Sequence, residues 1–572
     1  MESTSKLSKK YGLFTAICMV VGIVIGSGVF FKAQTILQKT DGDLPLGILA
    51  WIIGGVIMLV CILAFAMMAQ KYIKVNGIVD YAEATVGGKY GYYVGWFMST
   101  IYYPTLTSVL SWLSARYTLV FITSCWPDFP LIIPAAEGGC VIGPECIALM
   151  MFYMCCAYFV NAISPKLAGK IQTSTTVIKL IPLGLMAVVG IIVGLVSPTH
   201  MLVNNFAAAK DLLPGDASTS SLLLSAVCAT AFAYEGWIIA TSINSELKDA
   251  KRNLPKALVI GGIIIISVYI AYYVGVAGGA TVETLMADGA TTAFTNIFGN
   301  VLGNILNLFI AISCIGTMNG LMLGCTRGMY ALAVRGEGPR PEVFAQVDPE
   351  TNMPNNASIF ALLITGFWGM YFYLACLAGT WSGPFVFDSS ELPIITIYLL
   401  YIPIFIAWMK KEKDEKAFRR FILPALGIIC SLFMVYACIV GHGMENVWYL
   451  IVFAAFMFAG WLLNRKNKKN KQLITNRFAI SETKSPGGNP CRGQILFSVH
   501  ECIVKLKRVN VAAARVEGLL QFVADNGIGV AVGIDEFHRV PAAVGRVAFV
   551  FVYIPAVRYG LLRLIHRVRN AL

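Results

Sequence analysis

The chain has 572 residues, of which 57% are hydrophobic and 13% charged, against about 25% charged in an ordinary soluble domain. With a mean hydropathy of +0.71, these proportions exclude a soluble globule and point to an all-α polytopic membrane protein. The net charge of +13 is divided among short basic clusters lying between apolar runs, which excludes nucleic acid as a partner and leaves membrane lipid.

At roughly 20 residues per crossing, the apolar runs give twelve expected transmembrane helices. The first six fall at approximately 13–37, 44–70, 92–122, 147–163, 173–196 and 221–243. The second six fall at approximately 257–279, 301–334, 357–378, 392–409, 421–441 and 447–463. A basic start, "KLSKK", runs into the first span without a small-residue cleavage site, so that span is expected to serve as its own insertion signal.

Loop charge alternates along the chain. Lys6, Lys9 and Lys10, then Lys71, Lys74 and Lys89, then Lys166 and Lys170, then Lys248, Lys251, Arg252 and Lys256 share one side. Arg335, Arg340, the "KKEKDEKAFRR" loop and the "NRKNKKNK" tail join them, while Asp128, Glu137, Glu145, Asp388 and Glu391 mark the other side. The positive-inside rule then puts the N-terminus and the end of the twelfth span in the cytoplasm. Lys32, Lys39 and Lys210 are the outward minority. The expected organisation is a cytoplasmic N-terminus (1–12), a twelve-helix unit (13–464) and a basic C-terminal extension (465–572). Lysines outnumber arginines 24 to 9 before residue 490, and arginines outnumber lysines 9 to 2 after it, so the extension differs in kind and suggests no role.

Two interruptions carry the functional signal. "GIVIGSGVFF" (22–31) breaks the first span and "AFAYEGWIIA" (231–240) breaks the sixth. Glycine in a helix interior costs about 1 kcal/mol, and irregular backbone at membrane depth is tolerated where it lines a cavity. Close helix packing explains "GSG" taken alone. Glu235, an ionisable residue inside the second interruption, tips the pair towards a binding site. Breaks five spans apart argue for two repeats of five helices, at about 13–196 and 221–409, with two further helices at 421–463.

A half-helix starting after Gly26 presents N–H groups at Ser27 and Gly28 to a carboxylate. Open carbonyls at Val24, Phe232 and Ala233 suit an ammonium group, and Gly236 supplies the second break. One pocket then suits a zwitterion, of which an α-amino acid is the smallest common example. Lys179, about six residues into the fifth span, is deep for a snorkelling anchor and needs carbonyl partners, which the unwound first helix would supply.

These motifs, with "NSELKDAKRNLPKAL", "SCIGTMNGLMLGCTRGMYALA" and "RGEGPRPEVFAQV" in the same order, resemble the amino acid, polyamine and organocation (APC) superfamily over residues 10 to about 465. The resemblance is to its L-amino-acid transporter branch and to bacterial serine/threonine exchangers. It implies the LeuT-like fold with its 5+5 inverted repeat, alternating access, and sodium-independent exchange or proton-coupled uptake of amino acids across the plasma membrane. It implies that the backbone at Val24, Ser27 and Gly28 binds substrate, that Phe232 and Ala233 bind and gate it, and that Lys179 takes the place of a coupling cation.

Tyr103 and Tyr398, with Tyr102 and Tyr401, are further pocket candidates, as is Asn319, which equally well bonds across helices. Glu235 stands where eukaryotic exchangers of the family usually have glycine; it can titrate, repel acidic substrates or attract a second amine. The short termini resemble those of bacterial members, so no heavy-chain partner is expected, although Cys125, Cys140 and Cys146 lie in the outer loop where light chains pair with one. The fifteen cysteines show no metal-ligand spacing and the five histidines (His200, His442, His500, His538, His566) lie scattered in loops or the tail. No metal or cofactor is expected, and without a catalytic constellation or a phosphate-binding loop neither enzyme nor ATP-driven pump is indicated. A non-transporting sensor of the same fold is the remaining alternative.

Overall fold

The computed structural model describes residues 12–26, 28–72, 77–126, 128–131, 143–163, 165–208, 217–240, 247–348, 353–378, 381 and 383–483. Two compact units divide the chain, 1–467 and 468–572. Of the second, residues 468–483 are described, as the end of a helix.

Apolar runs satisfy their own backbone only by coiling, and helices follow the expected spans closely. The first span is two helices, α1 (Leu13–Val24) and α2 (Gly28–Lys39), bent by 42°. α3 (Leu44–Lys71) starts at Asp43, whose carboxylate accepts from the Leu46 N–H at 2.7 Å. Short helices α4 (Ile78–Thr85) and α5 (Gly88–Phe97) lead through a π-helical turn, Met98–Tyr102, into α6 (Tyr103–Cys125). α7 (Pro144–Ile163) is followed by α8 (Pro165–Leu185), which passes through a π-helical turn at Met186–Gly190 into α9 (Ile191–Val196). α10 (Met201–Ala207) is short.

The second half opens with α11 (Ala217–Tyr234) and α12 (Trp237–Ala240), divided at Glu235 and Gly236. α13 (Ala250–Ala277), α14 (Val282–Asp288) and α15 (Ala290–Val334) follow, the last broken at Gly299 with φ 77°. After α16 (Pro341–Phe344) come α17 (Asn355–Tyr371), prolonged by a π-helical stretch at Phe372–Leu377, and α18 (Leu392–Lys411). A last π-helical turn, Phe418–Ile422, precedes α19 (Leu423–His442), and α20 is Glu445–Thr483.

Among the described residues, nine helical stretches are long and apolar enough to cross a membrane, and the bent α1–α2 pair makes a possible tenth. The third and sixth expected spans fall short for different reasons: α6 carries serines, threonines and Arg116 along its length, and the sixth is divided at the Glu235–Gly236 break.

Two kinds of packing hold the bundle together. Where helices nearly touch, glycine is required: a Cβ on Gly275 would lie 2.1 Å from the Met186 carbonyl oxygen, and one on Gly278 would lie 2.1 Å from that of Gly190. α13 therefore lies directly on the π-helical turn of the fifth span. Along α6, buried Ser111 and Ser114 donate to the carbonyls of Thr107 and Leu110, each at 2.7 Å, so these two hydroxyls enter the interior with their hydrogen bonds met.

Between α3, α11 and α13 an aromatic knot gathers around Trp51, whose ring lies 5.5 Å from that of Tyr234 and 5.4 Å from that of Tyr269. Tyr234 also donates to the Trp51 carbonyl at 2.9 Å. Gly275→Val is expected to destabilise the fold by about 1–3 kcal/mol through overpacking, read as a lower unfolding temperature in detergent; an unchanged temperature would mean that these helices do not meet as closely as described.

Candidate functional site

The two breaks meet. A Cβ on Gly28, the first residue of α2, would lie 2.6 Å from Ala233 Cα, and one on Gly236 would lie 3.3 Å from the Ile23 carbonyl oxygen. Gly236 has φ 103°, a conformation that side chains disfavour, and this is what ends α11. α1 ends at Val24 because Ile25 leaves the helical region, with ψ 95°. Ser27, expected to present an amide, lies outside the described residues.

Between the breaks is a cavity of about 30 Å³, room for about two waters on the same measure. Val24, Gly26, Gly28, Phe232, Glu235 and Gly236 line it, so six of the expected binding residues come together from opposite ends of a 200-residue stretch. Ala233 lies just behind, against Gly28. Ile23, Leu106, Leu110, Thr317 and Leu321 complete the walls and were not foreseen. Their apolar bulk leaves little side-chain room.

Of the three expected open carbonyls, those of Val24 and Ala233 each already accept one hydrogen bond. Tyr269 of α13 places its hydroxyl 3.0 Å from both the Val24 and the Ala233 carbonyl oxygens. One hydroxyl proton thus serves the loose ends of both broken helices and ties them together. Each carbonyl keeps a second lone pair that an ammonium group can use. The signal was available: "SVYIAYYVG" places three tyrosines deep inside an apolar span, away from the interface that tyrosine favours.

Lys179 is fully buried, and its ammonium donates to the Gly22 carbonyl in the last turn of α1. The C-terminal end of a helix carries the negative end of its dipole, so a fixed cation here stabilises the end of α1 and finds the acceptor it needs. The Thr317 hydroxyl accepts from Lys179 at 3.4 Å and donates to the Ser313 carbonyl at 3.2 Å. A Cβ on Gly26 would lie 2.9 Å from that hydroxyl oxygen, so the break rests against Thr317.

Asn319, the residue singled out in the same motif, is turned elsewhere. It accepts from Asn161 at 2.9 Å and donates to the Ala168 carbonyl at 3.3 Å, a bond across helices. Residues two apart on a helix face nearly opposite ways, which is why Thr317 reaches the cavity and Asn319 does not. Tyr103 and Tyr398 also stand off the cavity: Tyr103 packs on Tyr102 with ring centres 5.4 Å apart, and Tyr398 on Tyr401 at 5.5 Å. Tyr102 donates directly to the Glu235 carboxylate. The ion pairs found among the described residues involve other carboxylates, so Glu235 faces the cavity as an acid without a cation of its own.

Apposed helix breaks around a small cavity with a buried carboxylate in its wall, within a bundle of membrane-length helices, define a membrane transporter. The sequence matches the amino acid permease family over residues 11–472, and the chain belongs to that family. It is 27% identical over 450 residues to the serine/threonine exchanger of Bacillus subtilis, covering 77% of this chain and 93% of that protein. It is 26% identical over 428 residues to the large neutral amino acids transporter small subunit 2 of Rattus norvegicus, covering 70% of this chain and 76% of that one. It is also 27% identical over 352 residues to the human Asc-type amino acid transporter 1, with 60% and 62% covered.

Tyr269→Phe removes the shared hydroxyl and leaves two buried carbonyls competing for none. An unpaired buried group costs about 1–3 kcal/mol, so the variant is expected to raise the apparent KM for amino acid transport by roughly tenfold or more. An unchanged KM would show that this hydroxyl does not organise the breaks.

Proposed function

We propose that the protein exchanges small neutral amino acids across the plasma membrane, without sodium, by alternating access. The observation that carries this reading is the apposition of the two breaks around one cavity. The first N–H groups of α2 suit the carboxylate of a bound amino acid, and the ammonium group takes the second lone pair of carbonyls that Tyr269 holds in place, or turns to Glu235. Leu106, Leu110, Leu321 and Ile23 favour a short side chain. A fixed ammonium at the Gly22 carbonyl, from Lys179, supplies the positive charge that a coupling cation would otherwise bring.

The proposed architecture is twelve transmembrane helices in a 5+5 inverted repeat spanning 13–464, with both ends of that unit in the cytoplasm by the distribution of lysine and arginine. The bundle containing the two broken helices rocks against the rest to change the exposed side. The protein is proposed to work without a heavy chain, and residues 465–572 are an extension to which we assign no role.

Proton symport is the second reading. It is favoured by one observation, a buried carboxylate at the cavity wall held by Tyr102 and paired with no cation among the described residues.

Purified protein in liposomes distinguishes the readings. Exchange predicts that labelled serine enters quickly only when serine is preloaded, equally well with sodium or choline outside, and that Lys179→Ala abolishes this flux while the protein remains folded. Uptake into empty vesicles driven by a pH gradient and lost in Glu235→Gln establishes symport instead, and no flux under either condition overturns both.

A further inference from the structure

A second cluster of chemically active side chains lies off the cavity, where α2 and α11 meet α18 and α19. Glu391, which immediately precedes α18, is 1% exposed. One of its carboxylate oxygens accepts from Lys32 of α2. The other lies 2.8 Å from His442 Nε2, at the end of α19, and 3.7 Å from Cys228 Sγ on α11. His442 is therefore a helix residue held by a carboxylate and not a loop residue. The three donor atoms all lie within 4.8 Å of one another.

We propose that Cys228, Glu391 and His442 form a binding site for a thiophilic divalent ion, with Zn²⁺ as the common biological example, and that the bound ion fastens α11 to α18 and α19. Sulfur, imidazole nitrogen and carboxylate oxygen are the donors zinc takes, at bond lengths of about 2.0–2.3 Å. Tetrahedral geometry at those lengths separates donors by roughly 3.3–3.8 Å. The present spacing therefore needs only small side-chain adjustment.

The surroundings also fit. His442 Nδ1 lies 3.4 Å from the Glu445 carboxylate, the outer partner that orients a metal-bound imidazole. Cys438 is adjacent to Cys228, and it or a water takes the fourth position. Lys32 sits on the carboxylate oxygen away from the donor triangle and remains in place when the ion binds. Lys39, 3.7 Å from the inner oxygen and 23% exposed, swings outward. The Cys228 thiol proton and the His442 Nε2 proton, which in the ion-free form is shared with Glu391, leave to solvent as the Zn–S and Zn–N bonds form, and no oxidation or reduction is involved. Glu445, 44% exposed, marks the route from the surface. Cysteine spacing along the chain could not reveal this set, because its members stand at positions 228, 391 and 442.

The fastening has a consequence for transport that rests on the alternating-access reading; ion binding itself does not. Lys32 Nζ lies 5.3 Å from the centre of the Phe232 ring, which lines the cavity. The cluster thus adjoins the broken helices, and an ion joining α11 to α18 and α19 opposes their separation.

The test uses the full chain, reduced and in detergent, titrated with CoCl₂. A thiolate-to-cobalt absorption band is expected to saturate near one equivalent and to be displaced by Zn²⁺. Cys228→Ser and His442→Gln are each expected to lose it, while replacement of the exposed Cys125 by serine leaves it intact. In liposomes, Zn²⁺ is expected to slow amino acid exchange several-fold in the parent and not in Cys228→Ser, whose exchange without metal shows that it is folded.

Absence of the band, or an equal band in Cys228→Ser, overturns the site. A band without slowed exchange upholds the site and overturns the fastening. Failure of metal-free exchange in the parent protein overturns the transport reading and leaves the cobalt result standing.

Discussion

Backbone that leaves the helix inside a membrane must find partners for its hydrogen-bonding groups, and that requirement organises the centre of this protein. α1 stops at Val24 and α11 stops at Tyr234, so each exposes carbonyls at its end. Two side chains from other helices answer them: Lys179 takes the Gly22 carbonyl, and the Tyr269 hydroxyl is shared between Val24 and Ala233. Both responses are polar groups that would be expensive to bury alone. The breaks therefore depend on their partners, and the partners on the breaks. What remains after this mutual satisfaction is the start of α2 and the Glu235 carboxylate around a small space, which is what a zwitterionic substrate can use.

The walls of that space follow from the same arrangement. Because Gly28 allows α2 to lie on Ala233, and Gly236 allows the second break to lie on Ile23, the cavity stays narrow and its apolar lining comes close. Phe232 joins the cavity to the Lys32–Glu391 pair through its ring. Events at the binding site and at the buried charges beside it are in this way mechanically adjacent, which is suited to a protein whose function is to close one side before opening the other.

Much of this was legible in the sequence. Glycines in an apolar run, and an acid in a second such run five spans later, located both breaks, because each departs from what a membrane helix tolerates. Lys179 was recognisable for the same reason. Partnerships across the fold were not. Tyr269 and Val24 are 245 positions apart, and Lys32 and Glu391 359 apart, so the outward-side lysine is in fact a buried ion-pair member. Thr317 was passed over for Asn319 because the motif was read without the helix face. In each case the missing information is three-dimensional proximity, which local composition does not encode.

The central claim is that substrate binds where the two breaks touch. Equilibrium binding of labelled serine to the purified protein tests it most directly by comparing Gly28→Ala, whose new methyl would press on Ala233, with Gly184→Ala on the outer face of α8, where nothing lies within 4 Å. The account predicts binding weakened by roughly tenfold or more, about 1.4 kcal/mol or above, in Gly28→Ala and unchanged in Gly184→Ala. Equal and undiminished binding in both would contradict it.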